Sequence, residues 1–201
     1  MFSVASRRKT RNSRARAGGK AGGGQEETVE IQRHGALIDV LDVGVLLLGK
    51  SGVGKSECAL ELVTRGHRLV ADDVVRIRQE GGKLVGTAPE RIRHYIEIRG
   101  IGLLYIPELY GEDSVRADSR IGLLCRLEAW REDAEYERIG IERPCEVLAG
   151  VSIPTLVLPV RPARNVATLV EVAVRDQLRR LAGSNAAARL DARLRAEYAR
   201  R

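Results

Sequence analysis

The chain has 201 residues, 44% of them apolar and 3% aromatic, with a formal charge of +7. That length fits one ordinary domain, or one domain with a tail, and the apolar fraction supports a real core. No apolar run approaches the roughly 18–20 residues needed to cross a bilayer, and the basic start of the chain lacks the apolar stretch of a secretory signal. The three cysteines (Cys58, Cys125 and Cys145) form neither a C-x-x-C pair nor a disulfide framework. The expected compartment is the reducing cytoplasm.

The positive charge is concentrated at one end. Arg7, Arg8, Lys9, Arg11, Arg14, Arg16 and Lys20 lie in residues 1–25, which hold no acid, and the remaining 27 basic residues are matched by 27 acidic ones. The body is therefore electroneutral, so nucleic acid is not an expected partner, and few aromatic residues are available to stack bases. Residues 1–28 are rich in Arg, Gly, Ala and Ser. They bury too little apolar surface to offset the entropy of ordering, so a disordered basic tail is expected.

Order is expected from Val29, giving one domain over 29–183 and a C-terminal helix within 184–201. Val29, Ile31 and Ala36 to Leu41 read as a strand pair around His34-Gly35. Val43 to Leu48 is a continuous apolar run, the pattern of a strand buried on both faces. Lys55 to Arg65 reads as a helix with Gly66 at its C-cap. Arg68 to Ala71 and Val74 to Arg78 read as strands, and Gly81-Gly82 as a hairpin turn into Lys83 to Thr87. His94 to Ile98, Gly102 to Ile106, Arg120 to Leu127 and Ile153 to Val160 follow as strands or short elements. Asn165 then opens a helix whose apolar face runs Val166, Leu169, Val170, Ala173, Val174, Leu178 and Leu181, closed by Gly183. Leu190, Leu194 and Tyr198 mark a second helix. Strands mixed with helices, one of them directly after a glycine-rich loop, define an α/β domain.

The strongest motif is Gly49-Lys50-Ser51-Gly52-Val53-Gly54-Lys55-Ser56, which matches G-x-x-x-x-G-K-[ST] at every fixed position. Glycines let the backbone turn and point successive N–H groups inward as an anion nest. The following helix adds its positive N-terminus. Lys55 can reach the β- and γ-phosphates, and the Ser56 hydroxyl can ligate Mg²⁺. Nucleotide binding follows. The N-K-x-D segment of a guanine reader and the L-S-G-G-Q segment of a transporter ATPase are missing. Downstream, Leu69-Val70-Ala71-Asp72-Asp73 is a strand ending in two carboxylates, one of which can stand near a metal while the other serves as a base.

Together with His34-Gly35, the loop through Glu57, Val70 to Asp73, Glu97-Ile98-Arg99-Gly100-Ile101-Gly102, Tyr136 to Gly140 and Pro159-Val160-Arg161-Pro162-Ala163-Arg164-Asn165, the chain resembles the catalytic domain of HPr kinase/phosphorylase over residues 30 to about 183. The resemblance implies an α/β fold related to phosphoenolpyruvate carboxykinase. It also implies an enzyme that phosphorylates a serine of the phosphocarrier HPr with ATP or pyrophosphate, and removes that phosphate by phosphorolysis. Asp73 would be the catalytic base, acting with Lys55, His34 and Arg138. Ser56 and Glu97 would be the Mg²⁺ ligands, and Arg161 and Arg164 would belong to the dephosphorylation segment. A homo-oligomer, by resemblance a hexamer, is implied as well, and regulation of the phosphotransferase system is the implied role.

Taken singly, several of these residues have ordinary readings: His34 as a loop histidine, Glu97 as an exposed strand residue, Arg99 as an ion-pair partner, Arg138 as part of a solvated charged stretch. His67, His94 and the cysteines lack metal-ligand spacing. The sequence departs from the family pattern at Lys50, where Asp is usual, and at Ala163, which replaces a glycine. If that position needs a positive φ, alanine costs roughly 1 kcal/mol there. Leu103 to Gly111 is a loose match. Two other functions compete: a P-loop kinase of this lineage with another substrate, and a nucleotide-dependent regulatory scaffold.

Overall fold

The computed structural model describes residues 30–200. The tail expected over 1–28 lies outside them. The strands are β1 (Glu30–His34), β2 (Ala36–Val40), β3 (Val43–Gly49), β4 (Arg68–Ala71), β5 (Val74–Glu80), β6 (Lys83–Thr87), β7 (Tyr95–Ile98), β8 (Gly102–Tyr105), β9 (Asp118–Ala129), β10 (Cys145–Leu148) and β11 (Val151–Val160). The α-helices are α1 (Lys55–Thr64), α2 (Ile106–Tyr110), α3 (Val166–Leu181) and α4 (Ala186–Tyr198).

β3 sits at the centre of the fold. It runs parallel to β9, with Leu47 opposite Cys125 and Gly49 opposite Leu127. β9 in turn runs parallel to β11, with Ala129 opposite Val160. On the other flank β2 pairs antiparallel with β3 and with β4. The 12-residue β9 also serves a second, antiparallel layer: its first residues, Asp118 to Arg120, pair with β6, which pairs with β5 and through it with β1. β7 and β8 form a separate hairpin.

The apolar run of β3 has a direct structural reason. Val45 and Leu47 face one core with α1 and α3, packed among Leu62, Leu123, Val170 and Val174. Leu46 and Leu48 face the other core with Val75, Ile77, Leu84 and Leu124. Alternate side chains on a pleated strand point to opposite faces, so a strand with a core on each side has no polar positions. Each such leucine contributes roughly 1.5–3 kcal/mol by burial.

Several expectations are corrected. The segments flanking His34-Gly35 do not pair with each other; β1 pairs with β5, while β2 pairs with β3 and β4. Gly35 marks where the chain passes between layers, so close to β3 that a Cβ there would lie 2.5 Å from the Leu47 carbonyl oxygen. The short strand β10 escaped the pattern reading. It forms a hairpin with β11 through Ala149-Gly150, both at positive φ, and β11 starts at Val151, two residues before the expected Ile153. Ile106–Tyr110 is a helix with Pro107 in its first turn. In α3 the buried face is Ala167, Val170, Ala173, Val174 and Gln177; Leu178 and Leu181 are exposed, and the last turns of α3 instead engage Arg143 through Asp176 and Gln177.

Two local expectations, a turn and a helix cap, hold. Gly81-Gly82 closes the β5–β6 hairpin with φ of 54° and 74°. Asn165 caps α3, its Oδ1 accepting from the Thr168 N–H at 2.7 Å. No helix among the described residues is long and apolar enough to cross a membrane.

Candidate active site

The parallel strands β3, β9 and β11 end at one edge of the sheet, the edge at which open α/β sheets bind ligands. The Gly49–Ser56 loop leaves β3 there and leads into α1. Gly54, the residue before α1, has φ 101°, a conformation that a side chain would strain. Lys55 is 7% exposed. Its ammonium folds back on the loop, donating to the carbonyl oxygens of Gly49 at 3.0 Å and Lys50 at 3.2 Å. Lys50 is itself exposed.

The two aspartates after β4 are held differently. Asp72 is 5% exposed and accepts the Ser56 hydroxyl, 3.0 Å from each carboxylate oxygen. Burial pushes its carboxyl above the usual range, while the Ser56 hydroxyl and the backbone N–H groups of Glu97 and Asp73 pull it back. Asp73 turns outward. Its φ is 67°, and the Val74 N–H donates to the Asp72 carbonyl oxygen at 2.9 Å, which closes a γ-turn around it. Such a backbone is strained, and strain of this kind concentrates at functional sites. The Gly35 N–H donates to the Asp73 carbonyl oxygen at 3.0 Å, and His34 lies opposite Val74 in the β1–β5 register. These two ties bring His34 Nδ1 to 2.9 Å from Asp73 Oδ1, with both side chains more than half exposed.

A cavity of about 120 Å³ unites these groups: His34, Ser51, Gly52, Lys55, Ser56, Asp72, Asp73, Glu97 and Arg99 all line it. Of the expected site residues it therefore collects His34, Ser51, Gly52, Gly54, Lys55, Ser56, Asp73 and Glu97. Arg99 makes no ion pair there. It donates to Ser51 Oγ at 3.3 Å and rests against Gly52. Arg138, Arg161 and Arg164 line a second, larger groove of about 1720 Å³, which opens where β9 and β11 end. Asp72 is not among the residues that the sequence assigns singly; the sequence offers it only as one of two carboxylates, of which one can stand near a metal. Its signal was the position after an apolar strand, shared with Asp73.

The set of donors fits Mg²⁺ bound with a phosphate chain. Mg²⁺ usually keeps several waters and takes one or two carboxylates plus phosphate oxygens. Ser56, Asp72 and Glu97 offer hard oxygen atoms in one cavity, and a cation would relieve the buried Asp72 charge. Among the described residues no cluster of three or more His, Cys, Asp or Glu side chains could form an all-protein metal cage.

A mixed α/β domain with a glycine-rich loop, a buried lysine and two unlike carboxylates in one cavity has the donors and charges that suit a phosphoryl group. The sequence profile of the HPr Serine kinase C-terminal domain matches residues 25–194, and the chain belongs to that family. It is 53% identical over 171 residues to an HPr kinase/phosphorylase of Caldicellulosiruptor bescii, covering 85% of this chain and 55% of that protein. It is likewise 53% identical over 163 residues to an HPr kinase/phosphorylase of Geobacillus kaustophilus, covering 80% of this chain and 52% of the other. The chain thus spans about half the length of these curated relatives. In structure it is similar to the Hpr(Ser) kinase/phosphatase of Coxiella burnetii, with a TM-score of 0.69 and 31% identity over 75% of this chain and 98% of that one.

Proposed function

We propose that this domain transfers a phosphoryl group from ATP or pyrophosphate to a serine of an HPr-type phosphocarrier, and that it runs the reverse phosphorolysis. The observation that carries this reading is the strained, His34-paired Asp73 at the mouth of the cavity that holds Lys55 and Ser56. Asp73 takes the proton of the serine hydroxyl as the new O–P bond forms and the donor's bridging O–P bond breaks, releasing ADP or phosphate. In reverse, an oxygen of inorganic phosphate attacks the phosphoserine phosphorus. Asp73 returns the proton to the serine oxygen, and pyrophosphate leaves.

His34 Nδ1 orients the Asp73 carboxylate toward the acceptor. Lys55 exchanges the Gly49 and Lys50 carbonyls for phosphate oxygens, a charge-assisted and therefore stronger bond. Ser56, Asp72 and Glu97 would hold Mg²⁺, which neutralises phosphate charge when bound. Arg138, Arg161 and Arg164 approach from the neighbouring groove and compensate charge on the transferred group and on the incoming phosphate. The loop is read as a P-loop and the fold as a relative of phosphoenolpyruvate carboxykinase. A homo-oligomer is also proposed, supported by the exposed Leu181, Leu190, Leu194 and Tyr198 on α3 and α4.

The test is Asp73→Asn, assayed with Mg²⁺, labelled ATP and HPr. Transfer to the HPr serine should fall by about 10²–10⁴-fold, the usual contribution of a positioned base, with ATP affinity retained. Undiminished transfer would reject the assignment of the base. ATP binding without transfer by the unaltered protein would reject HPr as the substrate.

A further inference from the structure

The cavity at the Gly49–Ser56 loop holds about 120 Å³, while small-molecule sites usually run from about 300 Å³ upward. It has room for the phosphoryl end of a donor and not for a nucleoside. If the donor is ATP, as proposed above, the base must lie elsewhere. The direction follows from strand order. Asp72 and Asp73 follow β4 on one flank of β3, and β9 lies on the other flank. A nucleotide whose terminal phosphate meets Asp73 therefore extends past the loop toward the end of β9.

Trp130 stands there, immediately after β9, and it is the sole tryptophan of the chain. Its backbone N–H donates to the Val160 carbonyl oxygen at 2.8 Å, which ties it to the end of β11. Its ring stacks on Tyr136 with centroids 4.9 Å apart and planes 26° apart. The Tyr136 hydroxyl accepts from the Arg131 N–H at 3.0 Å, which fixes the second ring. Trp130 is 40% exposed and belongs to neither core. Both rings line the 1720 Å³ groove, and the Arg161 guanidinium lies over the Trp130 ring, 5.1 Å from its centroid.

Two cations of this edge thus rest on internal partners, Lys55 on loop carbonyls and Arg161 on an aromatic ring. We propose that Trp130, backed by Tyr136, is the stacking shelf for the base of the nucleotide, and that the base replaces Arg161 over the ring, which frees that guanidinium for the phosphate chain. Base–aromatic stacking is tolerant of base identity because every base has a π-face. The shelf therefore favours nucleoside triphosphates over pyrophosphate without choosing strongly among purines.

The experiment is calorimetric titration of the unaltered chain, Trp130→Ala and Trp130→Phe with Mg-ATP, Mg-ADP and Mg-pyrophosphate. Removing the ring should weaken ATP and ADP roughly 10- to 100-fold, the usual range for loss of one stacked aromatic. Trp130→Phe should keep most of the affinity, and pyrophosphate should bind all three forms within about twofold. Equal losses for ATP and pyrophosphate would show that Trp130 merely supports the loop, and unchanged ATP affinity would show that the base lies elsewhere. Either result overturns the shelf and leaves the nucleotide reading intact. If the unaltered chain binds neither ATP nor pyrophosphate, the phosphate-loop reading falls, and the shelf with it.

Discussion

Ala163 sits at φ 63°, in the left-handed region, on the exposed segment between Arg161 and Arg164. A residue with a Cβ loses roughly 1–2 kcal/mol in that conformation. Replacing it with glycine removes this cost but gives the unfolded chain more freedom, which costs about 0.4–1 kcal/mol. Ala163 is exposed, so no packing is lost. The net expectation for Ala163→Gly is a gain of roughly 0.5–1 kcal/mol from these two terms, and a melting temperature higher by about 1–4 °C for a domain of this size. The control is Ala117→Gly, at an exposed alanine that is not among the positive-φ residues. It carries only the entropic penalty and should melt lower than the unaltered chain. Thermal unfolding followed by circular dichroism compares the three. If Ala163→Gly melts no higher than the Ala117→Gly control, the backbone at 163 is not strained and the reasoning fails.

Two further outcomes follow from buried titrating groups. Burial raises the Asp72 carboxyl, so its ionised form opposes folding increasingly as pH rises through the folded-state value. Without Mg²⁺, Asp72→Asn should therefore melt at or above the unaltered chain at neutral pH, its Oδ1 still accepting from Ser56, while stabilisation by Mg-ATP is lost; a melt several degrees lower would contradict this. His67 is buried with an unpartnered Nε2, and desolvation depresses its pKa, helped by Arg175 and Arg65 and opposed by Glu171 and Asp39. A depressed histidine contributes stability above its unfolded pKa of about 6.5, and that stability is lost as pH falls. Between pH 7 and 5 the melting temperature should drop more steeply in the unaltered chain than in His67→Gln. Superimposable profiles would exclude His67 as the cause.

Local chemistry makes part of this molecule legible in its sequence. The Gly49–Ser56 loop, the Asn165 cap and the Gly81-Gly82 turn each depend on a few neighbouring residues whose types dictate the backbone. Pairing is a different matter. β1 and β2 adjoin in sequence across Gly35, yet their partners are set by which face each strand buries, and β5 lies some 40 residues further along the chain. β10 is short, and Val147 is exposed, so it carries little periodicity. Within the site, the sequence paired Asp72 with Asp73 but could not show that one carboxylate is buried against Ser56 and the other turned out toward His34. Nor could it show that Arg138 lines a groove separate from the cavity that holds Lys55.

The double duty of β9 bears on how the domain comes apart. Its first residues belong to the antiparallel layer with β6, its later ones to the parallel layer with β11, and β3 runs along the other edge. Neither layer can detach while the other keeps this strand, so the two cores lose order together. In hydrogen-exchange terms, the amides of Leu123 to Leu127 report global opening, whereas those of α4, which buries no residue, exchange through local fraying. The edge that carries the loop and Trp130 is thus anchored to a strand that pairs with β3, β6 and β11, whose amides should be among the slowest of the described residues to exchange.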